Sequence, residues 1–379
     1  MKLKIPFNKP HLTGRELKYI KRAYSTGWLS GDGYFSKKCH AWIERNTGCK
    51  KAFLAHSCST ALEMMAILSN VGEGDEVIMP SYTFVTTANA FVLRGAEPVL
   101  VDIRADTLNI DEKLIENAIT SKTKAIMVVH YAGVGCEMDI INKIAKKHKL
   151  LVLEDAAQGL LSKYKGKYLG TLGHMAGVSF HETKNVISGE GGALLINDSR
   201  FIERAEIVRE KGTNRSKFLR GEIDKYSWVD IGSSYLPGEI VAAFLMAQLE
   251  HAVKITKKRL RIWQRYHKAL EQLEEKRYIR RPVIPEECQH NAHMYYILTR
   301  NSKEKGKLLK FLKKRGILAV SHYVPLHSSK GGKKHARFIG RMRVTNNIAT
   351  RLVRLPLYYG LKNSEQDFVV KSLKDFYKG

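Results

Sequence analysis

Cysteine is scarce in this chain of 379 residues. There are five, Cys39, Cys49, Cys58, Cys136 and Cys288, an odd number without a CxxC pair. That spacing argues against a disulfide framework or a zinc site and fits a reducing, cytoplasmic compartment. Long apolar runs are missing too. The longest uncharged stretch, Val77 to Leu93, has 17 residues broken by Pro80, Ser81 and Asn89, so no membrane insertion is expected. The opening MKLKIPFNKPHL has lysines but no continuous apolar segment behind them, and no secretory signal is expected. Acidic side chains are few, 37 against 64 basic ones, for a formal charge of +27. Such a balance raises nucleic acid, an anionic surface or an acidic small substrate as partners. No helix-turn-helix or RNA-binding signature accompanies it, so no nucleic-acid partner is expected. Most cations gather in 254–268, 303–316 and 330–343 and read as solvated helix faces. A small anionic ligand needs only a few of them.

What is present is a core. Hydrophobic residues make up 44% of the chain, enough for a sizeable one and against disorder. Apolar runs of strand length stand at Ala52–Ala55, Glu76–Met79, Pro98–Asp102, Ala125–His130, Leu150–Glu154, Gly177–His181 and Ala193–Ile196. Helical patterns such as TALEMMAILSN, DEKLIENAIT and MDIINKIAKKHK lie between several of them. Continuous apolar strands separated by helices predict an α/β fold with a mostly parallel sheet covered on both faces. From about residue 239 the pattern changes to long basic helices, followed by a mixed α and β tail with HMYYILT and GILAVSHYVPL as strands. The boundary is set near residue 250, giving a large domain 1–250 and a smaller α+β domain 251–379.

In such sheets ligands bind at the carboxyl ends of the strands. Three places offer polar residues there. After the strand ending at Ala55, Ser57, Ser59 and Thr60 open a helix whose N–H groups and dipole would suit a phosphate, although taken alone the stretch reads as an ordinary cap. In KLLVLEDAAQGLL, Asp155 is pushed to a strand end, where a buried carboxylate needs a cationic partner; a helix cap is again the plain alternative. Lys184 stands beyond the strand Gly177–His181, before Gly189-Glu190-Gly191-Gly192, whose glycines are expected to let backbone fold closely behind it. Together the three describe one ligand, pyridoxal 5'-phosphate: an amine for its aldehyde, an acid for its ring nitrogen and an anion cradle for its phosphate.

The phrases VIMPSYTFVTTANAFVLRGAEPVLVDI, VLEDAAQG, GVSFHETKN and GEGGALLIND resemble the DegT/StrS-type sugar-nucleotide aminotransferases over essentially the whole chain. Others, among them TLNIDEKLIENAIT, HYAGVGCEMD, IGSSYL and NAHMYYI, are similar to members making dTDP-4-amino-4,6-dideoxygalactose for the enterobacterial common antigen. The resemblance implies the aspartate-aminotransferase-like type I fold and a homodimer with active sites at the interface. It implies Lys184 as the residue that holds the cofactor covalently, Asp155 facing the ring nitrogen, and Gln158 near the ring hydroxyl. Phe84 would stack on the ring, while Cys58, Ser59 and Ser179 would contact the phosphate. Many members carry Asn-Tyr-Arg-Met before the following helix. Here the run is GSSYLPGEI, with Ser234 in place of the Asn that reaches the partner's phosphate site. The implied reaction passes an amino group from L-glutamate to C4 of dTDP-4-dehydro-6-deoxy-D-glucose, for cell-surface polysaccharide. A 3-aminating or UDP-linked enzyme of the family stays open, as does, remotely, a non-catalytic nucleic-acid-binding or regulatory protein on this scaffold. Dehydratase siblings carry histidine where Lys184 stands.

His130, His181, His322 and His327 draw notice because imidazole titrates near neutrality. His130 reads as a satisfied core histidine. His322, in SHYVPLH, is a substrate contact by resemblance. No spacing among the 14 histidines suggests a metal.

Overall fold

The computed structural model describes residues 4–378; the first three residues of the segment read for a secretory signal lie outside them. Among the described residues, fourteen strands form three sheets. In chain order they are β1 Lys51–Ala55, β2 Glu76–Pro80, β3 Glu97–Val101, β4 Thr123–Val129, β5 Leu151–Asp155, β6 Lys163–Tyr164, β7 Lys167–Tyr168, β8 Met175–Ser179, β9 Gly192–Ile196, β10 Ile279–Arg280, β11 Cys288–Gln289, β12 Tyr295–Thr299, β13 Arg337–Phe338 and β14 Leu352–Leu355. The large sheet has the order β1-β9-β8-β5-β4-β2-β3-β13. Only β9 runs against the rest, pairing antiparallel with β1 and β8. The others share one direction, so Ala55, Val129, Asp155 and Ser179 end at one edge of the sheet.

Strand residues alternate between two buried faces. Val77, Met79, Met127 and Leu153 share one core with residues of the helix Cys58–Leu68. Their neighbours Ile78, Ile126, Val128 and Val152 face the helices Glu112–Ala118 and Met138–His148. A period of two with both faces covered explains the uninterrupted apolar runs in the sequence. The helix Cys58–Leu68 is apolar nearly all round because sheet lies beneath it and the helix Val85–Val92 beside it. Leu62 is fully buried there; truncation to alanine costs about 2–5 kcal/mol.

The helices Glu239–Leu249 and Ala252–Ala269 meet at Glu250–His251. Trp263 and Tyr266 of the second helix share a separate core with Tyr295, Leu308, Val353 and Val369. It surrounds the antiparallel sheet β10-β12-β14. Ile5 belongs to this second core and bridges Ile317, so the start of the chain crosses to the C-terminal half. The expected strand over GILAVSHYVPL does not form. Only Ile317 and Val320 make single bridges, and His322–Val324 is irregular. This stretch is held by side chains: Ser81 Oγ lies 2.7 Å from His327 Nδ1.

Candidate active site

The edge where the parallel strands end opens into a cavity of about 500 Å³. Its sheet-side wall follows from the strand ends. β1 stops at Ala55, and Ser57 caps the helix Cys58–Leu68: its Oγ accepts from Thr60 N at 3.1 Å, and Thr60 Oγ1 accepts from Ser57 N at 3.0 Å. This reciprocal cap leaves the first-turn N–H groups of Cys58 and Ser59 without intrahelical acceptors, and both residues line the cavity. Gly192 of β9 sits between Ala55 and Ser179 in register. A Cβ on it would lie 2.3 Å from the carbonyl carbon of Ser57. The glycine-rich run therefore lets β9 press against the helix start, a more specific role than the general closeness behind Lys184 expected from sequence.

β5 sends consecutive acids to opposite sides. Glu154 is wholly buried, 2.8 Å from His130 Nε2, and accepts from the backbone N–H groups of Gly170, Leu172 and Gly173. His130 Nδ1 accepts from Cys136 N, so His130 is the satisfied core histidine read from sequence. Asp155 turns to the cavity. Its Oδ2 accepts from Thr87 Oγ1 at 2.7 Å and its Oδ1 from Ala157 N at 3.1 Å, with no ion pair among the described residues. Burial raises its pKa, against the lowering effect of those hydrogen bonds and of Lys184.

Lys184 lies on the loop between β8 and β9, its side chain partly open to the cavity and otherwise enclosed. Its amine has no hydrogen-bond partner among the described residues. Desolvation lowers its pKa from the usual lysine value, with Cys58 and Asp155 acting the other way. Ser179 and Phe84 also line the cavity. Phe84 is 53% exposed, which rules out a core phenylalanine. Gln158 is buried, its Oε1 accepting from Ala132 N at 2.7 Å and its Nε2 donating to Tyr323 Oη at 2.8 Å. Ser234 stands elsewhere: it is exposed, bridges Glu210, and is not among the residues lining this cavity.

The opposite wall comes from the C-terminal half. His322 reaches the cavity as expected, with Nδ1 2.7 Å from Tyr131 Oη and its ring stacked on Tyr323 at 3.6 Å. Burial drives its pKa well below the usual value, so it is neutral. Sequence reasoning missed His293, Arg354 and Phe7, which line the same wall. Arg354 had a signal, a cation inside the apolar run LVRLPL. Phe7 had none.

A lysine and a buried acid facing one cavity at the strand ends of an α/β sheet, beside a helix N-terminus, define a site of the kind that pyridoxal-phosphate enzymes use. The chain belongs to the DegT/DnrJ/EryC1/StrS aminotransferase family, whose model matches residues 10–374. The chain is 33% identical over 377 residues to the uncharacterized protein MJ1066 of Methanocaldococcus jannaschii, covering 98% of this chain and 97% of that one. It is 31% identical over 379 residues to the GDP-perosamine synthase of Escherichia coli O157:H7, covering 98% of each. The sugar aminotransferase Spr1654 of Streptococcus pneumoniae, described as putative, superposes in its PLP form with a TM-score of 0.88 at 26% identity, over 99% of this chain and 98% of that one. Its PMP form superposes with a TM-score of 0.89 at 26% identity, over 99% of both. The family is pyridoxal-phosphate-dependent, and the cavity fits that group: an unpaired amine, an acid lacking a cation, and amide donors lacking acceptors face the same space.

Proposed function

We propose that this chain transfers an amino group from L-glutamate to C4 of dTDP-4-dehydro-6-deoxy-D-glucose, giving dTDP-4-amino-4,6-dideoxy-D-galactose for cell-surface polysaccharide in the cytoplasm. The observation that carries the reading is the cavity shared by Lys184, Asp155 and the helix start at Cys58. The choice of sugar rests on the resemblance of HYAGVGCEMD, IGSSYL and NAHMYYI to members that make this product.

Bound pyridoxal phosphate supplies an aldehyde that exchanges amines and a cationic ring that draws electrons from the bond beside the nitrogen. Lys184 Nζ would hold the cofactor and would serve as the base for the donor's α-proton. Its lowered pKa leaves the amine neutral more readily than an exposed lysine. Asp155 would stabilise a protonated ring nitrogen, the opposite charge offsetting the carboxylate's own burial. The amides of Cys58 and Ser59, with the hydroxyls of Ser59 and Ser179, receive the phosphate. Phe84, Gln158 and neutral His322 would complete the site, Phe84 with an apolar surface, Gln158 with its second N–H and His322 as a substrate contact that adds no charge.

In this reading the chain divides near residue 250 into a cofactor domain and a smaller one. The functional unit is a homodimer with Ser234 turned to the partner's phosphate site. Exposed apolar residues near Ser234, among them Trp228, Val229 and Ile231, support such an interface. The similarity to a GDP-perosamine synthase favours a second reading, in which the sugar carries guanosine diphosphate.

The test is direct. Borohydride should fix the cofactor on the peptide containing Lys184. Incubation with glutamate and TDP-, UDP- or GDP-linked 4-keto-6-deoxy sugars, followed by NMR, should place new nitrogen on C4 of the TDP sugar. Nitrogen on C3, or turnover only with another nucleotide, overturns the substrate.

A further inference from the structure

The charge surplus of the sequence has a place in the fold. Three helices, Ala252–Ala269, Ser302–Lys314 and Asn363–Lys378, cover one face of the sheet β10-β12-β14, and the last packs against both others. Their inward residues, such as Tyr266, Leu312 and Leu373, enter the C-terminal core with Tyr295 and Ile297 of β12. The alternate strand residues Tyr296 and Leu298 turn to the sheet's other face, in one cluster with Tyr82 and Tyr131. Tyr131 bonds His322 of the cavity wall. The helical layer therefore lies on the side of the small sheet away from the active site.

Its outward stripes are cationic. On Ala252–Ala269 the exposed charges are Lys254, Lys257, Arg261 and Lys268, along one helical stripe with no acid in the helix. On Ser302–Lys314 they are Lys303, Lys307, Lys310, Lys313 and Lys314. Lys371 stands exposed on Asn363–Lys378. None of these makes an ion pair among the described residues, because the acids of the three helices are engaged elsewhere. Asp367 pairs with Arg265 at 2.5 Å and Asp375 with Arg315 at 2.6 Å. Glu304 is buried against Arg300 at 2.6 Å, and Glu365 accepts from Lys362 N at 2.8 Å. Cations on neighbouring turns stand about 5–6 Å apart, inside a Debye length of about 10 Å, so they repel and their fields add. An anionic partner relieves that repulsion.

We propose that this helical face docks the protein on a bilayer surface rich in anionic phospholipid, without insertion. The inference goes beyond the aminotransferase reading and does not depend on the choice of sugar. The face has the extent a plane needs: its helices run roughly 20–27 Å and pack about 8–10 Å apart. All its unpaired charges but Arg261 are lysines, compact point charges that answer to a diffuse field more than to one oriented phosphate. Nucleic acid would call for arginine forks and aromatic platforms. Here Trp263, Tyr266 and Tyr377 are buried inward, and Arg265 and Arg315 are held by acids. Phe368 is part-exposed, a single ring where a run of bases needs several. With the small sheet between lipid and cavity, substrate binding is left undisturbed.

Holoenzyme would be sedimented with vesicles of phosphatidylcholine, alone or with about 30% phosphatidylglycerol, at about 0.1 and 0.5 M salt. Partitioning should be at least about tenfold stronger on the anionic vesicles and fall to the neutral level at the higher salt. A face variant combining Lys257→Gln, Lys307→Gln, Lys310→Gln and Lys371→Gln should lose about tenfold or more in partitioning. Its melting point and its cofactor absorbance change with glutamate should match the wild type. A control removes as many charges from the other basic segment, by Lys330→Gln, Lys333→Gln, Lys334→Gln and Arg341→Gln, and should lose less than about twofold. Equal losses in the two variants would assign the binding to net charge and overturn the inference. Wild type that partitions alike onto neutral and anionic vesicles would overturn it too. Face-dependent binding of duplex DNA without vesicle binding would do the same, and would give the face to nucleic acid.

Discussion

The two walls of the cavity are built by different means. The sheet-side wall stands on β1, β5, β8 and β9, whose backbone hydrogen bonds fix the strand ends within one ladder. It carries the amine, the acid and the free amides. The C-terminal wall has less regular backbone: residues 321–325 belong to no strand, and they stay in place through bonds such as Ser81 to His327 and Gln158 to Tyr323. It carries Arg354, which has no ion pair among the described residues, and His293 and His322, both kept neutral by burial. Reactive groups need rigid placement, which the ladder provides, whereas groups that select a substrate can stand on segments whose side-chain contacts differ between relatives.

Substitutions can break or sharpen this contrast. Lys184→Ala should lower turnover at least about a thousandfold in steady-state assays, because proton transfer and cofactor attachment fall together. Comparable activity in that variant would end the division between a chemical and a selecting wall.

Asp155→Asn should cost about a hundredfold in turnover through loss of the charge facing the ring. It should also stabilise the cofactor-stripped protein. The folded pKa of Asp155 is raised above its unfolded value, so its stability penalty is absent below the ordinary carboxylate range and grows as pH rises through that range toward the folded value. In melting curves, the asparagine variant should exceed the wild type at pH 7, and the gap should close toward roughly pH 4. A gap that widens on acidification would contradict the buried, unpaired acid.

Ser81→Ala should have the smallest effect. Losing the bond to His327 costs about 1 kcal/mol and loosens the C-terminal wall. Substrate KM should rise several-fold while kcat stays within about twofold. A change in kcat alone would mean that this segment serves the chemistry after all.

The sheet-side wall was legible because its signals are local. An apolar run ending in Asp155, a hydroxyl-rich helix start at Ser57–Thr60 and a lysine following a strand each occupy a few consecutive residues, and the carboxyl-end rule gathers them. His322 was reached only through resemblance. Phe7, His293 and Arg354 were not read at all, since they lie on separate segments of the chain and meet through the packing of β12, β14 and the first residues. The strand expected over GILAVSHYVPL failed for a related reason. Its apolar residues answer to tertiary contacts at Ile317, Val320 and Leu326, with no continuous neighbouring strand beyond single bridges.

By itself, then, the amino-acid order determined which residues are chemically equipped and which strand ends present them, because hydrophobic period and capping act over a few neighbours. Only the tertiary structure decided that, among the described residues, Asp155 lacks a cation, Lys184 is desolvated, and Arg354 faces the cavity without a hydrogen-bond partner. Burial and pairing are sums over atoms from distant segments, and no local pattern contains them.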